Sequence, residues 1–441
     1  MSIKLDATAR ETGTRFRIYP QPPWLKGFEN PETVWVSVTP DQIKPGPLDD
    51  RMYAVDPIWK MPYDGRLSRP PYRGPYHPPV EPDPRTGHFD HLDVNGRQFK
   101  TAHMYAAVRR VLDIWEDHFH KPIDWFFRID SPRLELIPLV MWDNAQSGYG
   151  FLEFGFGRTS WRGIDPTRPY CLHFDVLAHE LGHTFIFSEV DAPEPPTNLE
   201  EYRGFHESAA DLVSIVSSLH FQLVADLLLQ RTAGNLFTEN ELARLGELSQ
   251  HTPIRNAFNY ERMSTVNRRE PHKFSQPLTG AVFDVFVEVF QKELVKNHLI
   301  SQELADRSYH GPDEAIDDTA IQREFQAAYE GRHDEFKIAL LRARDYLGEL
   351  LAKSWNRDRL PPNNLTFAGF GSALLTVDLE MTGGQHQQTI RDCFAWREIE
   401  FPADSMMWRT WRVADCGLMD VEAMNRGPSD NQGLSRRIQG V

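Results

Sequence analysis

The sequence predicts an α+β protein of two lobes, the first a mixed or antiparallel sheet with a helix laid against it, the second mostly helical. Three observations carry this prediction. Met104, Val108, Val111, Leu112, Trp115 and Phe119 recur at helical spacing through 102–119. Two strand-like runs, "LELIPLVMW" (134–142) and "GFLEFGFG" (150–157), flank a turn-prone "DNAQSG". Downstream of Pro277 the pattern is mostly helical, with "FKIALLRARDYLGELLAKSW" (336–355) strongly amphipathic.

Taken in order, residues 1–88 read as a Pro-rich extended segment. Sixteen of the 32 prolines lie between Pro20 and Pro84, which removes backbone donors and disfavours helix interiors and central strands; only "TVWVSVTP" (33–40) alternates well enough for a strand. Residues 89–204 form the expected N-terminal lobe: the helix over 102–119, the two strands, and a helix over "FDVLAHELGHTFIF" (174–187). After a loop, "DAPEPPTNLEEYRG" (191–204), a long helix starts at Phe205 and opens a helical lobe over 205–400. Residues 401–441 are a C-terminal extension, polar and expected to fray beyond Gly427.

Composition bounds the partners. The chain has 441 residues, 40% hydrophobic and 25% charged, and carries a net charge of -15 with no basic face, which argues against nucleic acid and anionic membranes. Cys171, Cys393 and Cys416 are too few and scattered for a disulfide framework and fit a reducing compartment. The polar N-terminus lacks a secretory pattern, and the most apolar stretch (281–290) is broken by Asp284 and Glu288, so a cytoplasmic location is expected. Oligomeric state is not legible.

Within 174–187, His179 and His183 stand four apart around Glu180. On a helix these imidazoles share a face and can grip one metal ion, the arrangement by which H-E-x-x-H hydrolases bind Zn²⁺ while the Glu polarises water. Burying the three groups among Phe174, Leu177, Leu181, Phe185 and Phe187 without a partner would cost several kcal/mol, and a divalent cation supplies the partner. Catalytic zinc takes three protein ligands, and Glu207, early in the next helix, is the expected third. Asp211, one turn on, faces the same way and is expected to accept from a ligating histidine. His206 is expected to point off that face.

"HELGH" followed after a loop by "HESAAD" resembles the thermolysin-like zinc metallopeptidases, the gluzincins, in which H-E-x-x-H is followed by E-x-x-x-D. The resemblance implies a zincin-like, two-lobed peptidase. It extends over about 90–400 with gaps: residues 101–115 are similar to the helix opening that family's catalytic domain, 142–150 to its substrate-binding edge strand, with Asn144 and Ala145 holding the peptide backbone, and 272–281 to the segment whose histidine, here His272, stabilises the oxyanion. It further implies Tyr202 as the loop tyrosine beside the oxyanion and Arg244 or Arg255 as the substrate-anchoring arginine. Asp175 also matches, and complements the helix N-terminus. The sequence departs from the family at Ser218, where a calcium ligand is usual, and at Asn267, where an Asp orients the oxyanion histidine and Glu270 is the available substitute.

The function so implied is zinc-dependent hydrolysis of a peptide or protein substrate by an endopeptidase, with Glu180 as general base. Two other readings stand beside it. "GFLEF" (150–154) is loosely similar to the aminopeptidase element that binds a free amino terminus, with Glu153 as its acid. A non-catalytic protein that keeps the zinc site is the other.

Overall fold

The computed structural model describes residues 4–64, 68–158, 163–194, 199–246, 255–309 and 317–401. The expected frayed tail and Cys416 lie outside the described residues. Helix α1 (Lys4–Thr12) leads into an antiparallel pair, β1 (Thr14–Ile18) and β2 (Glu32–Val36), with Phe16 opposite Val34. β3 (Met52–Ala54) follows, then the long α2 (Arg97–Phe119), which ends where His120 turns left-handed at φ 54°. β4 (Leu134–Ile137), β5 (Ala145–Gly148) and β6 (Phe151–Phe154) complete a four-stranded sheet of order β3-β4-β6-β5. β3, β4 and β6 run parallel, and β5 runs antiparallel to β6 at the edge.

Two expectations are modified here. Residues 1–88 do more than wrap the surface, because β3 joins the sheet and Phe16, Ile18, Val34, Val36 and Met52 enter the main core. The turn-prone "DNAQSG" contains β5, which is extended because the β6 backbone satisfies it, with Gln146 opposite Glu153. β4 and β6 are buried throughout, as strands covered on both faces are. One cover is α2, which packs on β3 and β4. The other cover includes Tyr63, which packs with Ile137, Val140 and Phe151, and Tyr72 beside them.

A short pair, β7 (Phe156–Arg158) and β8 (Ile164–Pro169), leads to helices α3 (Phe174–Glu189) and α4 (Glu200–Ser218). α3 turns Phe174, Leu177, Leu181, Phe185 and Ile186 into the core, each contributing roughly 1.5–3 kcal/mol by burial. Gly182 sets how closely the two helices approach, since a Cβ there would stand 2.8 Å from the Ala210 Cα. α4 starts with Glu200 and Glu201 in its first turn, which complements the helix dipole, so the expected lobe boundary at 204 falls within a helix.

The remainder is helical: α5 (Gln222–Thr232), the minor pair β9 (Arg244–Leu245) and β10 (Arg255–Asn256), the single turn α6 (Pro271–Phe274), then α7 (Gln276–Lys296), α8 (Gln302–Ser308), α9 (Asp318–Tyr329), α10 (His333–Ser354), α11 (Phe367–Thr382) and α12 (Gln387–Trp396). The molecule is therefore α+β with a helical C-terminal part, and one continuous core runs from Phe16 to Ile399. No single helix among the described residues is long and apolar enough to cross a membrane.

Candidate metal centre and cleft

The antiparallel contact of α3 with α4 brings His179, His183 and Glu207 together, one donor atom from each lying within 4.8 Å of the others. The imidazole rings stand nearly perpendicular with centroids 4.7 Å apart. Both Nε2 atoms face Glu207, at 3.4 Å for His179 and 3.8 Å for His183. Glu207 Oε2 is shielded from solvent and makes no well-directed hydrogen bond, although His272 Nδ1 stands 2.9 Å away. Two imidazole lone pairs and an under-satisfied buried carboxylate oxygen, converging on one point, fit a divalent cation.

Each histidine has a partner behind it. His179 Nδ1 donates to Asp211 Oδ1 at 2.8 Å, and Arg255 clasps the same carboxylate, with Nη2 2.8 Å from Oδ1. His183 Nδ1 meets His206 Nδ1 at 2.7 Å, with the rings stacked at 15°. His206 thus corrects the expectation that it points away: it starts one residue before Glu207, yet its ring swings behind His183 into the space between Phe187 and Tyr202. A histidine adjoining a proposed ligand is the only sequence signal for it.

In the metal-free protein these surroundings split the titrations. Burial and Arg255 push the His179 ring down, but the Asp211 and Glu207 carboxylates beside it outweigh them and raise it to about 9. Burial holds His183 well below its ordinary value and takes His206 to about 4. Burial opposes ionisation of Glu207, yet His179 and His272 hold its carboxyl far below the usual carboxylate range. Glu180 moves the other way: burial raises it and Glu207 adds to the rise, against His179, Arg255 and the Ser147 amide. A carboxyl shifted upward beside two histidines has the character of a proton acceptor.

His179, Glu180, His183, Glu207 and Asp211 line a cleft of about 490 Å³. Opposite them the lining comes from Asn144 and, on the edge strand β5, from Ala145, Gln146 and Ser147. Ser147 Oγ lies 3.1 Å from Thr184 Oγ1, tying the strand to α3. His272, half exposed on α6, and Glu270 also line the cleft, but Glu270 makes no hydrogen bond with His272. Asn267 accepts from the Arg269 amide and so serves its own turn. Arg255 lines the cleft while locked on Asp211, whereas Arg244 lies by Glu241.

Two further expectations are corrected. Tyr202 is buried in the first turn of α4, and its hydroxyl donates to the Asp191 carbonyl at 2.8 Å, so it does not line the cleft. Its place one turn before His206 directs the ring behind the site. Glu153 is fully buried, held by Lys60 Nζ at 2.6 Å and by the Tyr63 amide at 2.7 Å, and it too is absent from the cleft.

No family model matches this sequence, and no curated protein matches it. Among solved structures the chain is similar to the precursor of protealysin, a metalloproteinase from Serratia proteamaculans, with 13% identity over 79% of this chain and 87% of that chain at a TM-score of 0.42.

Proposed function

We propose that this chain is a zinc-dependent peptidase of zincin-like fold and thermolysin-like mechanism, cutting peptide bonds within a chain. The observation that carries the reading is the convergence of His179, His183 and Glu207, with Glu180 beside them, on a cleft whose far wall is a sheet edge. His179, His183 and Glu207 would hold the ion, which when bound supplies Lewis acidity for a carbonyl and lowers the pKa of water to roughly 7. Asn144 and Ala145 lie where an extended peptide adds as a strand on β5, pairing through its backbone. Glu180 takes the proton from the attacking water and delivers it to the leaving amine. His272 donates to the carbonyl oxygen as it gains charge, a contribution of about 3 kcal/mol in comparable sites. Tyr202 takes no part, since its hydroxyl is spent on Asp191.

The aminopeptidase reading loses its acidic anchor, because Glu153 is committed to Lys60 and lies outside the cleft. N-blocked and free peptides should therefore be cut alike. Glu180→Gln should abolish cleavage while metal analysis still finds one bound ion per chain. Undiminished cleavage by that variant would remove the proposed base; metal without hydrolysis in the wild type would favour the binding-protein reading.

A further inference from the structure

Past the metal-ligand residues the cleft continues, one turn N-terminal to His179 on α3 and one turn C-terminal to Asp211 on α4. Asp175 and Val176 form one wall of this recess, Ser214 the other, and Leu245 and Gly246 border it. Glu207, Asp211 and Ser214 fall at i, i+4 and i+7, a single stripe of α4 facing the opening. Ser214 is 1% exposed, and its Oγ has no hydrogen-bond partner among the described residues. Asp175, 2% exposed, accepts from the Gly246 amide at 2.6 Å through Oδ2 and from the Val176 amide at 2.9 Å through Oδ1, which leaves acceptor capacity on both oxygens. Neither residue has a part in the proposed chemistry.

A buried hydroxyl left without a partner beside an open cleft is unfavourable until something fills the space next to it. A substrate carboxylate would face the Asp175 carboxylate, and a substrate ammonium or guanidinium, which only donates, would leave the Ser214 hydroxyl proton without an acceptor. A large apolar side chain would leave Ser214 stranded. A carboxamide would suit both groups: its N–H would donate to Asp175, its carbonyl would accept from Ser214 Oγ, and its methylenes would pack on Val176 and Leu245. Building on the peptidase reading above, we propose that the Asp175–Ser214 recess is a specificity pocket for an Asn or Gln side chain beside the cleaved bond.

Equilibrium binding needs no turnover and so separates this proposal from the hydrolase reading. Zinc-loaded Glu180→Gln protein is titrated by fluorescence polarisation with a positional library of labelled peptides. At one position Gln or Asn should bind about tenfold tighter than Leu, the worth of one hydrogen bond. Ser214→Ala in the same background should bring that ratio close to one, and Ser214→Thr, which keeps a hydroxyl, should retain it. A preference for Leu or for a charged residue, a Gln preference that survives Ser214→Ala, or no binding by any peptide overturns the proposal. Digestion of the same library by the wild type completes the separation. Cleavage without a carboxamide preference removes the pocket and keeps the hydrolase, whereas Ser214-dependent binding without cleavage keeps the pocket and removes the hydrolase.

Discussion

The two metal-facing histidines sit on one helix, four residues apart, yet their supports differ in kind. His179 is backed by a charged pair, Asp211 with Arg255. His183 is backed by a second imidazole, His206, whose far nitrogen Nε2 is buried without a hydrogen-bond partner among the described residues. A carboxylate behind an imidazole raises the basicity of the ring and fixes its tautomer, while a neutral acceptor fixes the tautomer alone. The difference teaches that the same ligand type can be tuned separately on two turns of one helix, one strong donor and one weaker, by the groups that the neighbouring helix presents.

Breaking the charged side should have the largest effect. Asp211→Asn keeps an oxygen for His179 but takes from Arg255 its nearest counter-charge in a largely buried place. Removing one partner of a buried pair costs about 3–5 kcal/mol, and water in the cleft brings the expectation here to about 3 kcal/mol. Retention of the ion should fall by roughly 10- to 100-fold. Urea denaturation and competition with a chelator read the two losses separately. An unchanged midpoint would mean that Asp211 and Arg255 do not hold the fold together.

The next effect comes from protons. In the metal-free protein the His179 pKa of about 9 stands above its unfolded value, so the stability it contributes is fully present below about 6.5 and is lost as pH rises through 9. His183 and His206 are shifted down, so their contributions are complete above about 6.5, and that of Glu207, whose carboxyl is also depressed, is complete above its ordinary value. Between pH 7 and 8, before the thiols of Cys171 and Cys393, both raised by burial in the fold, ionise in the unfolded chain, the slope therefore belongs to His179. Unfolding free energy measured with a chelator present should fall by at most about 1.4 kcal/mol per pH unit, and Asp211→Asn should flatten the slope. A stability that rises over this range would contradict the assignment.

How much of this is legible in the sequence depends on whether the determining contact is local. His179, His183, Glu207 and Asp211 can be named because helical periodicity alone fixes which of them share a face. The helices of the C-terminal part follow from the same periodicity. β3 cannot be read, because its partner β4 lies 82 residues away, Met52 against Leu134, and only tertiary pairing makes a Pro-rich stretch extended there. The helical wheel misplaces His206 because it gives the direction of Cβ and not the swing of a ring around χ1. The family resemblance puts Tyr202 in a loop, where insertions move residues most readily; here that residue is inside α4.

The neutral side is sharpened by changing its acceptor. His206→Asn retains a side-chain oxygen for His183 Nδ1 and should hold the ion nearly as well as the wild type. His206→Phe fills the space between Phe187 and Tyr202 but accepts nothing, and should lose the ion about tenfold faster in a stopped-flow chelation experiment. Equal rates for the two variants would show that His206 supports His183 by packing and not by its hydrogen bond.

The smallest expected effect lies one layer further out, at Tyr202. Its ring stands 5.5 Å from that of His206, centroid to centroid, and its hydroxyl ties the first turn of α4 to the Asp191 carbonyl at the end of α3. Tyr202→Phe keeps the ring and removes only that hydrogen bond, so stability should fall by about 1 kcal/mol. Peptide cleavage should change by less than about twofold, because the hydroxyl is turned away from the cleft and the group behind His183 stays where it was. If cleavage fell a hundredfold with the ion still bound, the tyrosine would have to reach the reacting carbonyl, α4 would have to unwind at its first turn on substrate binding, and the neutral side would cease to be the passive half of the pair.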